Sequence, residues 1–236
     1  GPYLAAVEVD GVLLVDPGVV DTAAPNIDSL IDTPTNYTAT GSGNNGGNYA
    51  TINPLSTSST LANGNLQLTT SSGLHFSTIG VSSGKWYAEW SATSAGGSQM
   101  VGIHKGLASG SYLGANSDGF GYYGSNGQKY NGSGVSYGAS YGSGDVIGVA
   151  LNLDDGNIAF YKNGVSQGTA FTGLSSGTYF FAGGESGMTG YWNFGQRGSF
   201  AFTPPADHLA LCTTNLPDPT IADGSTAFDT KLWPGD

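Results

Sequence analysis

Tyr112, Asp118, Tyr123, Lys129, Tyr130, Tyr137 and Tyr141 are crowded into a stretch made otherwise almost entirely of Gly, Ser and Asn. The chemistry this mixture favours is recognition rather than bond-making. A tyrosine offers a large rigid surface with a polar tip at low entropic cost, and Ser, Gly and Asn supply adaptable hydrogen bonds. Aromatic faces also stack on the apolar faces of sugar rings. The segment 111–143 is therefore the candidate ligand-binding region, and these seven residues are its candidate contacts. The competing reading makes several of the tyrosines ordinary strand residues with half-buried rings, and sequence leaves both readings open.

Residues suited to catalysis are scarce. Glycoside cleavage needs two carboxyl groups about 5–9.5 Å apart, one with a raised pKa. Glu8, Glu89 and Glu185 are the only glutamates and lie far apart in sequence, and the compact Glu-x-Asp-x-x-Glu strand motif of sandwich glucanases is missing. Asp145, Asp154 and Asp155 occupy turn positions that aspartate fills for conformational reasons. His75, His104 and His208 show no ligand or triad spacing, and no serine sits in a Gly-x-Ser-x-Gly elbow. Gly119-Phe120-Gly121-Tyr122-Tyr123-Gly124 has a loose dinucleotide fingerprint, but no helix follows to receive a phosphate. The expectation is a protein that is not an enzyme and needs no cofactor. Calcium is the one ion with conceivable oxygen ligands, in the acidic loops 116–118 and 154–157, although no EF-hand spacing is present.

Charge narrows the partners. The net charge is −11 with six Lys and Arg, so there is no basic face to neutralise phosphates, and nucleic acid is excluded as a partner. An acidic membrane surface would be repelled for the same reason. No run approaches the ~20 apolar residues that span a bilayer. Cys212 is the only cysteine, which rules out an intramolecular disulfide and multi-cysteine metal sites.

The elements that must position the candidate residues are strands. Forty glycines and 10% charged residues suit many short strands joined by tight turns. From Gly144 onward the residues Ile147, Val149, Leu151 and Leu153 alternate onto one face. Asp154-Asp155-Gly156-Asn157 then turns the chain, Ile158 and Phe160 restore the apolar face, and Asn163-Gly164 marks the next reversal. Trp86, Ala88 and Trp90 share a strand face, with Tyr87 and Glu89 on the other. Phe180, Ala182, Trp192 and Phe194 are further core candidates, with Leu61, Leu66 and Leu68 upstream. Residues 1–16 read as an N-terminal β-hairpin around Asp10-Gly11, and 17–48 as an extended linker. Residues 49–205 read as a β-sandwich, and 206–236 as a C-terminal extension packing on the sandwich or a neighbour. No segment carries ten residues of helical period. Both ends read as cut, which points to a piece of a longer chain.

The pieces Gly84-Lys85-Trp86-Tyr87-Ala88-Glu89, Val101-Gly102-Ile103, Gly127-Gln128-Lys129-Tyr130, the 144–171 segment and Asn193-Phe194-Gly195-Gln196 resemble the SPRY domain in order and spacing, across roughly residues 73–203. The resemblance implies an all-β fold, an antiparallel β-sandwich of the concanavalin A-like jelly-roll kind, and a binding module without catalysis. The flanks 31–37 and 214–225 are similar to the surroundings of such domains in marine bacteriophage structural proteins. That second likeness implies a virion protein, extracellular, in a tail fibre or similar appendage. Its implied partners are a host surface glycan or protein, other virion subunits, and further copies of the chain in a homo-oligomer. A purely structural role, as fibre shaft, capsid decoration or filament subunit, is the alternative; the tyrosines would then lie in subunit contacts.

Overall fold

The computed structural model describes residues 7–9, 12–14, 48–70, 73–94, 99–106, 112–184, 187–196 and 199–217. The linker expected over 17–48 and the extension beyond 217 therefore lie outside the described residues, apart from Asn48. In chain order the strands are β1 Val7–Val9, β2 Val12–Leu14, β3 Thr60–Ala62, β4 Gln67–Thr70, β5 Leu74–Val81, β6 Lys85–Ala92, β7 Met100–Lys105 and β8 Gly119–Tyr123. They continue with β9 Gln128–Tyr130, β10 Gly134–Ser136, β11 Val146–Asn152, β12 Asn157–Lys162, β13 Val165–Thr172, β14 Tyr179–Gly184, β15 Gly190–Asn193 and β16 Leu209–Ala210. The only helical elements among the described residues are single 3-10 turns at Pro54–Ser56 and Thr213–Asn215.

Val7–Val9 and Val12–Leu14 pair as an antiparallel hairpin with Val9 opposite Val12. The remaining strands form two sheets packed face to face. One runs β10-β9-β8-β7-β14-β5; the other runs β13-β12-β11-β6-β15-β4-β3. Every pairing within them is antiparallel except β16, which lies parallel to the start of β6 with Leu209 opposite Trp86. This is an all-β antiparallel sandwich, as the alternation of apolar residues requires.

The core lies between the sheets. Trp86, Trp90, Ile147, Val149, Leu151, Phe160 and Phe194 are all buried there, as their strand positions predict. Each buried tryptophan finds an acceptor for its indole N–H: Ser83 O for Trp86, Gln99 Oε1 for Trp90 and His75 Nε2 for Trp192. A buried indole left without such a partner would forfeit most of what burying its ring contributes. The segment 48–53 closes one side of the sandwich by bonding to both sheets. Asn53 N–H donates to Phe76 O in β5, and Ile52 N–H donates to Asn65 O beside β4.

One parity differs from expectation. Along β14 it is Tyr179 and Phe181 that enter the main core, whereas Phe180 and Ala182 face the opposite side with Leu74, Phe76 and Met100. Both faces of this strand are covered, so apolar residues stand at both parities and the pattern alone selects neither. The cover on that outer side is the segment 112–119, which crosses the six-stranded sheet with Leu113 wholly buried. Gly119 and Gly121 allow the crossing. A Cβ on Gly121 would meet Leu113 O at 3.0 Å, and one on Gly119 would meet Gly114 N at 2.6 Å.

Candidate functional site

The structure sorts the seven candidate residues into three places. Tyr112, Tyr123 and Tyr130 come together on the outer face of the six-stranded sheet, half-buried around the small cluster of Leu74, Phe76, Met100, Leu113 and Ala182. Their rings meet edge-to-face, with Tyr130 6.2 Å from Tyr112 and 5.8 Å from Tyr123. Such pairs favour one fixed arrangement over loose stacking. Tyr130 Oη donates to Gln128 Oε1 at 3.0 Å. Asp118 lies in the adjoining turn, exposed, with its backbone N–H capped by Asn116 Oδ1.

Lys129 and Tyr137 instead close the open side of the sandwich between β9 and β13. Lys129 Nζ donates to Ala170 O and sits 5.2 Å above the Phe171 ring and 5.7 Å from that of Tyr137. The β12–β13 ladder is irregular around Phe160, which leaves its N–H without a strand partner. Tyr137 Oη accepts from that N–H at 3.2 Å and donates to Gly168 O. Its hydroxyl therefore bridges the bulge, and burial pushes the phenol up to about 12. Both side chains are committed to the fold, so neither is free to take a ligand as the sequence reading had them do.

Tyr141 is a core residue, only 4% exposed. Its hydroxyl donates toward Tyr122 O at 2.8 Å and Gln99 O at 3.1 Å, and burial raises its pKa well above the ordinary phenol value. Its hydroxyl is committed to the fold, and its remaining exposure lies at the wall of a polar groove. The sequence could not reveal this, because a tyrosine with two inward carbonyls reads like one in a binding loop.

The acidic residues are occupied by turns. Burial alone would raise Asp145, but N–H donors from Gly142 and Asn163 and the Lys162 ammonium at 3.3 Å hold its carboxyl below the usual value. Asp154 Oδ1 accepts from Gly84 N–H, and Asp155 pairs with the Asn152 amide. Among the described residues no three His, Cys, Asp or Glu side chains converge as a metal would require. A polar groove of about 350 Å³ beside Asp145 and Lys162 is lined by Gly124, Ser125, Ser140, Tyr141 and Gly142. Its two charges are paired with each other, which leaves little to grip a ligand.

Glu89, the most plausible carboxylate for chemistry, is 1% exposed. Its Oε2 accepts from Ala201 N–H at 2.7 Å, and Oε1 accepts from Phe202 N–H and the Tyr87 hydroxyl. Burial raises its pKa, and these donors oppose the shift. Glu89 thus anchors the segment 199–202 over the outer face of the larger sheet, where Phe200 packs edge-on against Tyr87. Substrate has no access to it. Glu185 lies outside the described residues.

Sequence reasoning missed two participants. Leu113 is the floor on which the outer tyrosines rest, and Asn131 ties their loops together. An apolar residue inside a Gly/Ser/Asn loop is the signal that could have revealed Leu113.

The described residues thus form a two-sheet sandwich with an aromatic cluster on the outer face of one sheet. Residues 84–197 match the SPRY domain family, so the chain carries a SPRY domain. The crystal structure of the SPRY domain of human HERC1 superposes with a TM-score of 0.52 at 22% identity, covering 60% of this chain and 94% of that one. That likeness concerns the fold. Ran-binding protein 9 of Xenopus tropicalis is 40% identical over 80 residues, which is 33% of this chain and 15% of that protein. The E3 ubiquitin-protein ligase RKP of Arabidopsis thaliana is 44% identical over 57 residues, 24% of this chain and 4% of its own length. The chain thus corresponds to a small part of these relatives.

Proposed function

We propose that this chain is a non-catalytic binding module that takes an uncharged segment of a partner protein on the face formed by Tyr112, Tyr123 and Tyr130. The observation that carries this reading is the grouping of three half-buried rings on the outer sheet face while the neighbouring tyrosines are committed to the fold. Tyrosines fixed by packing lose little entropy on binding, and their polar tips suit hydrogen-bonded recognition. The four described lysines all have intramolecular partners: Lys85 with Asp207, Lys105 with Ser175, Lys129 with Ala170 O and Lys162 with Asp145. Together with the net charge of −11, this disfavours an acidic partner. A protein partner is preferred to a glycan because one relative is named for binding a protein, Ran. The buried, fully bonded state of Glu89 supports a role without catalysis.

The setting we propose is a virion appendage outside the cell, with a host surface protein as target and further copies of the chain or other virion subunits as neighbours. It rests on the likeness of segments 31–37 and 214–225 to phage structural proteins.

The test is a selection of random peptides on the intact chain, run beside an array of neutral glycans. Replacing Tyr112, Tyr123 and Tyr130 together with alanine should weaken a selected peptide by at least about 100-fold, the scale of a lost hot spot. The single Tyr112→Ala variant, which leaves the sheet residues in place, should weaken it by about tenfold. Equal binding by the folded variants would refute the assignment of this face. Binding of glycans alone would replace the protein partner with a saccharide. Self-association with no ligand of either kind would favour the structural-subunit role.

A further inference from the structure

The outer tyrosine face is assembled from two separate pieces of chain. Tyr112 belongs to the crossing segment 112–119, and Tyr130 ends strand β9. Sheet hydrogen bonds join Tyr130 to Gly121 in β8 and Gly134 in β10, and the crossing segment enters the ladder only at its end, where Gly119 pairs with His104. Upstream of Gly119, contacts outside the ladder set the distance of the crossing segment from β9.

Asn131, the residue after Tyr130, supplies that connection. Its Nδ2 donates to Ser117 O at 2.8 Å and Gly119 O at 2.9 Å, with Asn116 O at 3.5 Å. The next residue adds a backbone bond, from Gly132 N–H to Gly114 O at 2.9 Å. The turn being gripped is itself pre-formed, because Asn116 Oδ1 accepts from the N–H groups of Asp118 and Gly119. Besides this grip, the crossing segment is bonded to the sheet at Leu113, whose N–H donates to Gly184 O at 3.2 Å, and at Asp118, whose carbonyl accepts from Lys105 N–H of β7 at 2.8 Å.

We infer that Asn131 is a positioning residue for ligand recognition: its amide locks the turn 116–119 to β9 and so sets the spacing of Tyr112 from Tyr130. This inference rests on the proposed binding role of the tyrosine face. A side-chain amide is the right group because it brings two N–H donors to carbonyls that all face one point. Aspartate has nearly the same shape but no donor, and would set a carboxylate against those same carbonyls. The backbone bond from Gly132 survives the change, so the turn loosens without the sandwich losing its core.

Asn131→Asp and Asn131→Ala test this with two readings on the same intact proteins. Amide hydrogen exchange over residues 113–119 should accelerate at least tenfold in the Asp variant and several-fold in the Ala variant, with the main unfolding transition unchanged. A peptide selected on the wild type, and lost on Tyr130→Ala, should bind the Asp variant about tenfold more weakly. Unchanged exchange in both variants would show that Asn131 holds nothing in place. Faster exchange with undiminished peptide affinity would reduce it to a local turn anchor and overturn the positioning role. Failure to select any Tyr130-dependent peptide would strike the binding role of the face, and the exchange reading would still decide the grip.

Discussion

Replacing Phe160 with alanine should lower the unfolding free energy by about 3–5 kcal/mol, the range for truncating a fully buried phenylalanine. Phe160 is wholly buried between the sheets, 5.2 Å from the Tyr122 ring and 6.0 Å from that of Tyr137. These neighbours are fixed by their own hydrogen bonds: Tyr122 Oη to Ala139 O, and Tyr137 within the β12–β13 bulge. They cannot collapse into the space left by the ring, so both the lost transfer energy and the cavity count against the variant. Urea denaturation followed by tryptophan fluorescence reads this directly. A loss under about 1 kcal/mol would mean that the ring is not enclosed as described.

Acidification should destabilise the fold through His75. This side chain is 1% exposed, its Nε2 accepts from Trp192 Nε1, and the described residues offer Nδ1 no partner. Burial lowers its pKa from 6.5 to about 3. Between those values the unfolded chain binds a proton that the folded chain refuses, so stability rises with pH across that window. It is lost on going down from about 6.5, at up to about 1.4 kcal/mol per pH unit, and stops falling below the folded value near 3. Glu89 acts in the opposite direction, because its raised folded pKa favours protonation in the native state above 4.5. His75→Gln separates the two: the amide oxygen can still accept from Trp192 and cannot titrate. Urea midpoints measured at pH 7, 5 and 4 should fall more steeply for the wild type than for this variant. Parallel falls would show that His75 does not carry the effect.

The fold was legible because strand alternation and turn chemistry agree along the stretch from Asp145 to Thr172. Asn163 and Gly164 take the positive φ angles, +50° and +78°, that a tight hairpin turn demands. Ile147, Val149 and Leu151 then have only one face on which to be buried. Legibility failed on β14, where Tyr179 and Phe181 compete with Phe180 and Ala182 as apolar sets and a crossing segment covers the second face. The candidate site was half legible. Tyr112, Tyr123 and Tyr130 meet on one face, but Tyr137 and Tyr141 had the same sequence surroundings and went inward. What separates them is the presence of a backbone group needing a partner: the bulged Phe160 N–H for Tyr137, and the Tyr122 and Gln99 carbonyls for Tyr141. Such needs arise from sheet irregularities and edge closure, which depend on pairing between distant strands.

The same distinction bears on the choice of variants. Alanine at Tyr137 or Tyr141 removes part of the fold's hydrogen-bonding and core, so lost binding there would say nothing about recognition. The outer tyrosines are the informative positions.

The most direct measurement is the hydrogen-exchange footprint of a selected peptide on the wild-type chain. Binding through the proposed face protects the amides of 112–119 and 128–131 and leaves the opposite outer face, under residues 199–212, unchanged. Protection confined to the β13 edge or to 199–212, with 112–119 and 128–131 unaffected, would contradict the account.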